Sequence, residues 1–298
     1  MKPPTNQQRS DPFKVFLRSL YIISLAIYVF FILDGIDYYR TSYQERPHHG
    51  AYRQLRPAGF TGHGFGILGT TMMLLMLLYS VRKRTSLFGE WGALRRWLDI
   101  HIYFGIMGPL FIILHTSFKV QGLVAVSFWS MIAVATSGVL GRYLYLQIPR
   151  NRRGGELSLK EIEAMNQQFN QQLTDELQLN EDQFNRLEEL RAANIDQKRN
   201  VFILLLSMVV KDILRPLRVH RLKRMYVAEL GLSGQHLQDV VDLSYQQSIL
   251  QRRIILLDRI QQLFHYWHVF HKPFAIIMYI IMLVHVGVAI WLGYTWIF

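Results

Sequence analysis

Five separate apolar runs, each about the 20 residues that a helix needs to cross a bilayer, limit what this chain can fold into. They cover about 15–36, 61–81, 97–118, 122–148 and 266–298. Hydrocarbon offers backbone amides no water, so runs of this length read as helices that satisfy their own hydrogen bonds. Arg18 lies near enough to the end of the first run to snorkel to the interface. The chain starts polar and no small-residue cleavage site follows its first apolar run, which is therefore expected to stay as an anchor. With 51% hydrophobic and 18% charged residues, the composition is more apolar and less charged than that of a soluble domain. The expected fold is an all-α integral membrane protein. It is a five-span helical bundle with a cytoplasmic helical insertion between spans four and five. Residues 1–150 would hold spans one to four, 151–262 the insertion and 263–298 the last span.

A net charge of +12 raises the question of nucleic acid, and the placement of the charges argues against it. Lys2, Arg9, Lys14 and Arg18 precede or enter span one; Arg82, Lys83, Arg84, Arg95 and Arg96 lie between spans two and three; Arg142, Arg150, Arg152 and Arg153 follow span four. The opposite side carries Arg40, Arg46, Arg53, Arg56 and Lys119. Basic residues gather on the cytoplasmic side of membrane proteins, which predicts a cytoplasmic N-terminus and an external C-terminus. The expected location is a bacterial inner membrane. The absence of cysteine excludes thioether-bound haem, Cys-ligated iron–sulfur clusters, disulfides and thiolate metal sites.

The insertion reads as folded. Ser158 to Glu161 and Asn180 to Gln183 are capping-box patterns, and Phe184, Leu187 and Leu190 recur at helical spacing. Val201 to Val210 is apolar but too short to span, so it is either a buried core helix or one lying in the interface. Pro216 interrupts the basic stretch behind it, and a helix from about Gln235 is expected to run into span five. Residues 156–198 hold ten acidic and four basic side chains, whereas 211–224 holds six basic and one acidic. That asymmetry serves either pairing within the insertion or the docking of a soluble redox protein or neighbouring subunit.

Two histidine pairs share one spacing: His101 and His115 in span three, His271 and His285 in span five, each 14 residues apart. Fourteen residues rise about 21 Å and fall within about 40° of four full turns, so both members of a pair share a helix face. Spans three and five run in the same direction, which sets His101 level with His271 and His115 level with His285. Ionisable residues at this depth are rare and functional. Two imidazoles facing each other at two heights suit two non-covalent haem b groups, each held by two histidines. His268 rivals His271 but lies about 100° off the face shared with His285. Gly105, Gly108, Ser137, Gly138, Gly141 and Gly287 are small enough to admit a flat ring, and equally to pack helices closely. Arg142, Arg96, Lys272 and Arg56 are cations at the membrane edges that could meet haem propionates or lipid headgroups. Asp34, Asp37 and His63 on one side, or His265 and His268 on the other, are candidate quinone and proton sites.

The segments W-L-D-I-H-I-Y-F-G-I-M-G-P-L-F-I-I-L-H-T and F-H-K-P-F-A-I-I-M-Y-I-I-M-L-V-H-V-G resemble the di-haem transmembrane cytochromes. The layout is most similar to the membrane domain of the ferric reductase and NADPH oxidase superfamily, where the third and fifth spans carry the His pairs. The paired spacing is also similar to cytochrome b of quinol-oxidising complexes, which has more spans. The resemblance covers about 60–148 and 264–298. It implies ligation by His101, His115, His271 and His285, and an electron-transport role. The flavin and nicotinamide domain of ferric reductases is not expected here, and the insertion departs from that pattern. The expectation is an electron-transfer subunit of an oxidoreductase complex of respiratory-chain type rather than a self-contained enzyme. Its partners would be other redox subunits, soluble carriers or a quinone. The alternative is a haem-free scaffold or sensor that recruits a partner through the insertion.

Overall fold

The computed structural model describes residues 11–86, 88, 91–148, 159–172, 201–231 and 233–294. No strand occurs among them. Among the described residues, five helices are long and apolar enough to cross a membrane. They are α1 (Pro12–Asp34), α4 (Phe60–Arg84), α5 (Leu94–His115), α6 (Leu123–Gln147) and α11 (Leu257–Trp291). Between the first two lie α2 (Ile36–Arg40), a single 3₁₀ turn at Arg46–His48 and α3 (Tyr52–Leu55). The protein is thus an all-α integral membrane protein with five spans.

Local chemistry explains the boundaries. Asp11 caps α1 by accepting from the Phe13 amide at 3.1 Å, and Pro12 sits in the first turn, where its missing N–H breaks no bond. The helix α11 has 35 residues, about 52 Å, whereas hydrocarbon is about 30 Å thick, so it begins well before its apolar portion. The expected helix from Gln235 into span five is in fact two, because α10 (Gly234–Ile255) ends at Leu256 and α11 starts immediately after it.

The chain divides into two compact units, residues 1–140 with 269–298, and residues 141–268. In the first, α4 and α5 pack as an antiparallel pair around Gly69 and Gly108. A Cβ on Gly69 would lie 2.9 Å from the Gly108 carbonyl oxygen. Small residues at such a crossing let two backbones approach, which is how helices bind each other without a hydrophobic driving force. Phe65, Tyr103, Met107, Phe111 and Leu114 form the core of this pair, covered by Tyr21, Tyr28 and Phe31 of α1. Ser24, the one buried residue of α1, meets the Tyr103 hydroxyl at 2.5 Å. A second core of Met73, Met131, Met278 and Met282 joins α4, α6 and α11.

The second unit contains α7 (Leu159–Gln171), α8 (Val201–Ile213), α9 (Arg215–Leu230) and α10. Pro216 falls in the first turn of α9, so the break it causes is at Leu214. The capping patterns that include Ser158 and Asn180, and the apolar positions Phe184, Leu187 and Leu190, lie outside the described residues. So does most of the acidic stretch. Asp212 of α8 organises this unit. Its carboxylate accepts from Arg252 at 2.6 Å, Tyr143 at 2.8 Å and Gln147 at 3.1 Å. Burial alone would push the carboxyl up. The Arg252 and Tyr143 hydrogen bonds, the Arg252 charge and the Gln147 amide outweigh burial and hold it below the ordinary value. A depressed folded-state pKa contributes stability above the unfolded value of about 3.9 and loses it as pH falls through the folded one. Asp212→Asn is therefore expected to flatten the acid limb of the stability profile below about pH 4, read by thermal melts across pH.

Candidate functional site

His101 and His115 both reach across to α4. The His101 Nδ1 lies 3.0 Å from the Met76 carbonyl oxygen, and the His115 Nδ1 lies 2.9 Å from that of Gly62. A carbonyl oxygen can only accept, so in each ring Nδ1 carries the proton. A neutral imidazole then keeps a bare lone pair on Nε2. The two acceptors are themselves 14 residues apart, and Gly69 meets Gly108 halfway between them. The antiparallel register of α4 on α5 thus supplies one carbonyl for each imidazole.

His271 reaches the same state by another route. Its Nδ1 is 2.8 Å from the Ser137 hydroxyl on α6, which gives its single proton to the Val134 carbonyl at 2.9 Å. Ser137 must accept from His271, and Nε2 is again the ring's lone-pair nitrogen. An outer hydrogen bond that fixes the tautomer and ring orientation is the usual companion of a metal-bound histidine.

His115, His285 and His63 come together from α5, α11 and α4. Both His63 and His285 lie within electrostatic reach of His115, and the His63 and His115 ring centroids are 6.4 Å apart. His285 is exposed on α11. Gly66 makes room for this cluster, since a Cβ there would lie 2.7 Å from the His115 Nδ1 and 2.8 Å from its Cε1. His101 and His271 are anchored separately, one to α4 and one to α6. In the second unit, His268 donates Nδ1 to the Phe264 carbonyl at 2.9 Å and packs edge-on to Phe264 and Trp267, while His265 is exposed.

The other candidate residues have local explanations. Gly105 faces α4, where a Cβ would meet only the Met76 sulfur at 3.2 Å, and Gly138 lies against the His271 ring. Arg142 stacks over Tyr145 at 5.6 Å, and Arg56 over Tyr52 at 5.5 Å. Arg96 pairs with Asp11 at 3.7 Å. Asp34 and Asp37 are exposed. Sequence reasoning treated Ser137 only as a small residue and overlooked Gly62 and Gly66. The signal for the two glycines was the G-H-G-F-G-I-L-G run of α4, whose small residues recur at helix-packing spacing.

Among the described residues, no group of three or more His, Cys, Asp or Glu side chains could hold a bare metal ion. No family model, curated protein or solved structure matches the chain.

Proposed function

We propose that this protein is a membrane-embedded di-haem b cytochrome subunit, passing electrons across the bilayer between partner redox proteins or a quinone. One observation carries the reading. His101, His115 and His271 can all donate Nδ1–H to a fixed protein acceptor, which leaves Nε2 to carry the lone pair when the ring is neutral. Haem b would supply the one-electron redox chemistry. The protein's own part would be to hold these three rings each in one tautomer and orientation. The approach of His285 and His63 to His115 supports an external site at that level. The cytoplasmic N-terminus and the bacterial inner membrane belong to the same proposal, supported by Arg82, Lys83 and Arg84 at the end of α4.

A second reading draws on the same bonds. Histidines that clip α5 to α4 are sufficient structural elements in a haem-free scaffold or sensor. Colour separates the two. The purified protein is expected to show a reduced-minus-oxidised b-type spectrum with two haems per chain, and a colourless, folded preparation would favour the scaffold. Each ligand should act locally: His115→Ala or His285→Ala should remove one haem, and His101→Ala or His271→Ala the other. His63→Ala should keep both. Retention of two haems in any one of the four ligand variants would overturn that assignment.

A further inference from the structure

The helix α8 carries apolar residues on two opposite sides, of which the fold uses one. Leu205 and Met208 point inward, packed with Leu144 and Ile148 at the end of α6 and Leu256 and Ile260 at the start of α11. Asp212 lies on the same side, bound to Arg252. These three positions span about 60° of the helical wheel. On the opposite side, Ile203, Leu206, Val210 and Ile213 cover about 80°, and they are 54%, 64%, 42% and 70% exposed. Leu214 and Leu217 extend this apolar surface into α9 at 42% and 66% exposed. Exposed cations follow directly: Arg215, Arg218, Arg221 and Arg224.

We infer that the outer face of α8, with the basic start of α9, is a membrane-surface docking site for anionic phospholipid headgroups. Three arguments select that occupant. The inner face of α8 packs on Leu144 and Ile148 at the end of membrane-length α6, which holds the helix at the level where α6 ends. Its 13 residues are too few to cross the bilayer but suffice to lie along it. The apolar stripe is continued by positive charge, the complement of an anionic leaflet. The inference is independent of any cofactor.

The chain has no cysteine, so single cysteines report cleanly. Leu206→Cys, Ile213→Cys and Leu217→Cys would be spin-labelled in the full-length protein, with the exposed His236→Cys as the aqueous reference. The protein would be reconstituted in phosphatidylcholine bilayers with and without phosphatidylglycerol. Labels at 206, 213 and 217 are expected to have an oxygen-to-nickel-chelate accessibility ratio several-fold above that at 236, and higher again with phosphatidylglycerol. The combined change Arg218→Gln, Arg221→Gln and Arg224→Gln should abolish the gain from phosphatidylglycerol while leaving the zwitterionic value unchanged. A ratio at 206 and 213 equal to that at 236 would overturn the proposal. Shielding from both reagents would do so as well, because it would mean that protein covers the face. A phosphatidylglycerol gain unaffected by the triple change would overturn the assignment to anionic headgroups.

Discussion

Replacing Gly66 with valine is expected to displace the His115 imidazole and, on the proposed function, to remove the external haem. A single added Cβ at Gly66 would stand 2.7, 2.8 and 3.0 Å from three atoms of the ring, closer than carbon packs. The ring cannot yield without losing its bond to the Gly62 carbonyl, and that bond fixes the tautomer. Overpacking of this kind costs about 1–3 kcal/mol in stability. Gly105→Ala is the internal comparison, since its Cβ would touch only the Met76 sulfur, at 3.2 Å at the end of a flexible side chain. The valine variant should lose half of the b-type absorbance and melt earlier, whereas Gly105→Ala should keep its spectrum and most of its stability. Equal behaviour of the two variants would show that the His115 contact does not set the ring's position.

Arg46→Ala is expected to be the most destabilising substitution in the loops between spans, at about 3 kcal/mol or more. Arg46 is only 6% exposed, although it sits in a short polar loop. Its guanidinium donates to the carbonyls of Thr41 at 3.0 Å, Ser117 at 2.6 Å and Tyr39 at 2.7 Å. It also lies 4.4 Å from the centre of the Tyr43 ring and 5.2 Å from that of Tyr38. The Ser117 contact matters most. Ser117 and Phe118 have φ of 48° and 62°, two consecutive left-handed residues without glycine. Such residues cost about 1–2 kcal/mol each and persist only where neighbours hold them. Arg46 and Leu55 secure Ser117, and the Tyr43 hydroxyl donates to the Phe118 carbonyl at 2.6 Å. This turn leaves α5 directly after His115, so its release should loosen that ring too. Arg46→Lys should recover only part of the loss, because an ammonium has no planar fork to span three carbonyls. Thermal melts of the detergent-purified protein decide it, and an unchanged midpoint for Arg46→Ala would refute the clamp.

Much of the architecture was legible from amino-acid order alone. Five apolar runs of about 20 residues read as helices in hydrocarbon, because a single segment there satisfies its own backbone only as a helix, and among the described residues five helices have the length and apolarity to span. The break near Pro216 was equally legible, since proline lacks the donor that helix α8 would have needed to continue. Helical periodicity likewise put His101 and His115 on one face of α5. Periodicity could not say which neighbour that face meets. The answer lies in the register of α4 on α5, set by glycines that bring two backbones together, and it hands the two imidazoles to Met76 and Gly62. Nor could spacing reveal that Ser137 orients His271, because the two residues belong to different helices. Arg46 shows the limit most plainly. By sequence it is one loop cation among several, and only the carbonyls folded around it make it a buried clamp, since hydrogen-bond acceptors from distant segments converge only when the chain is packed.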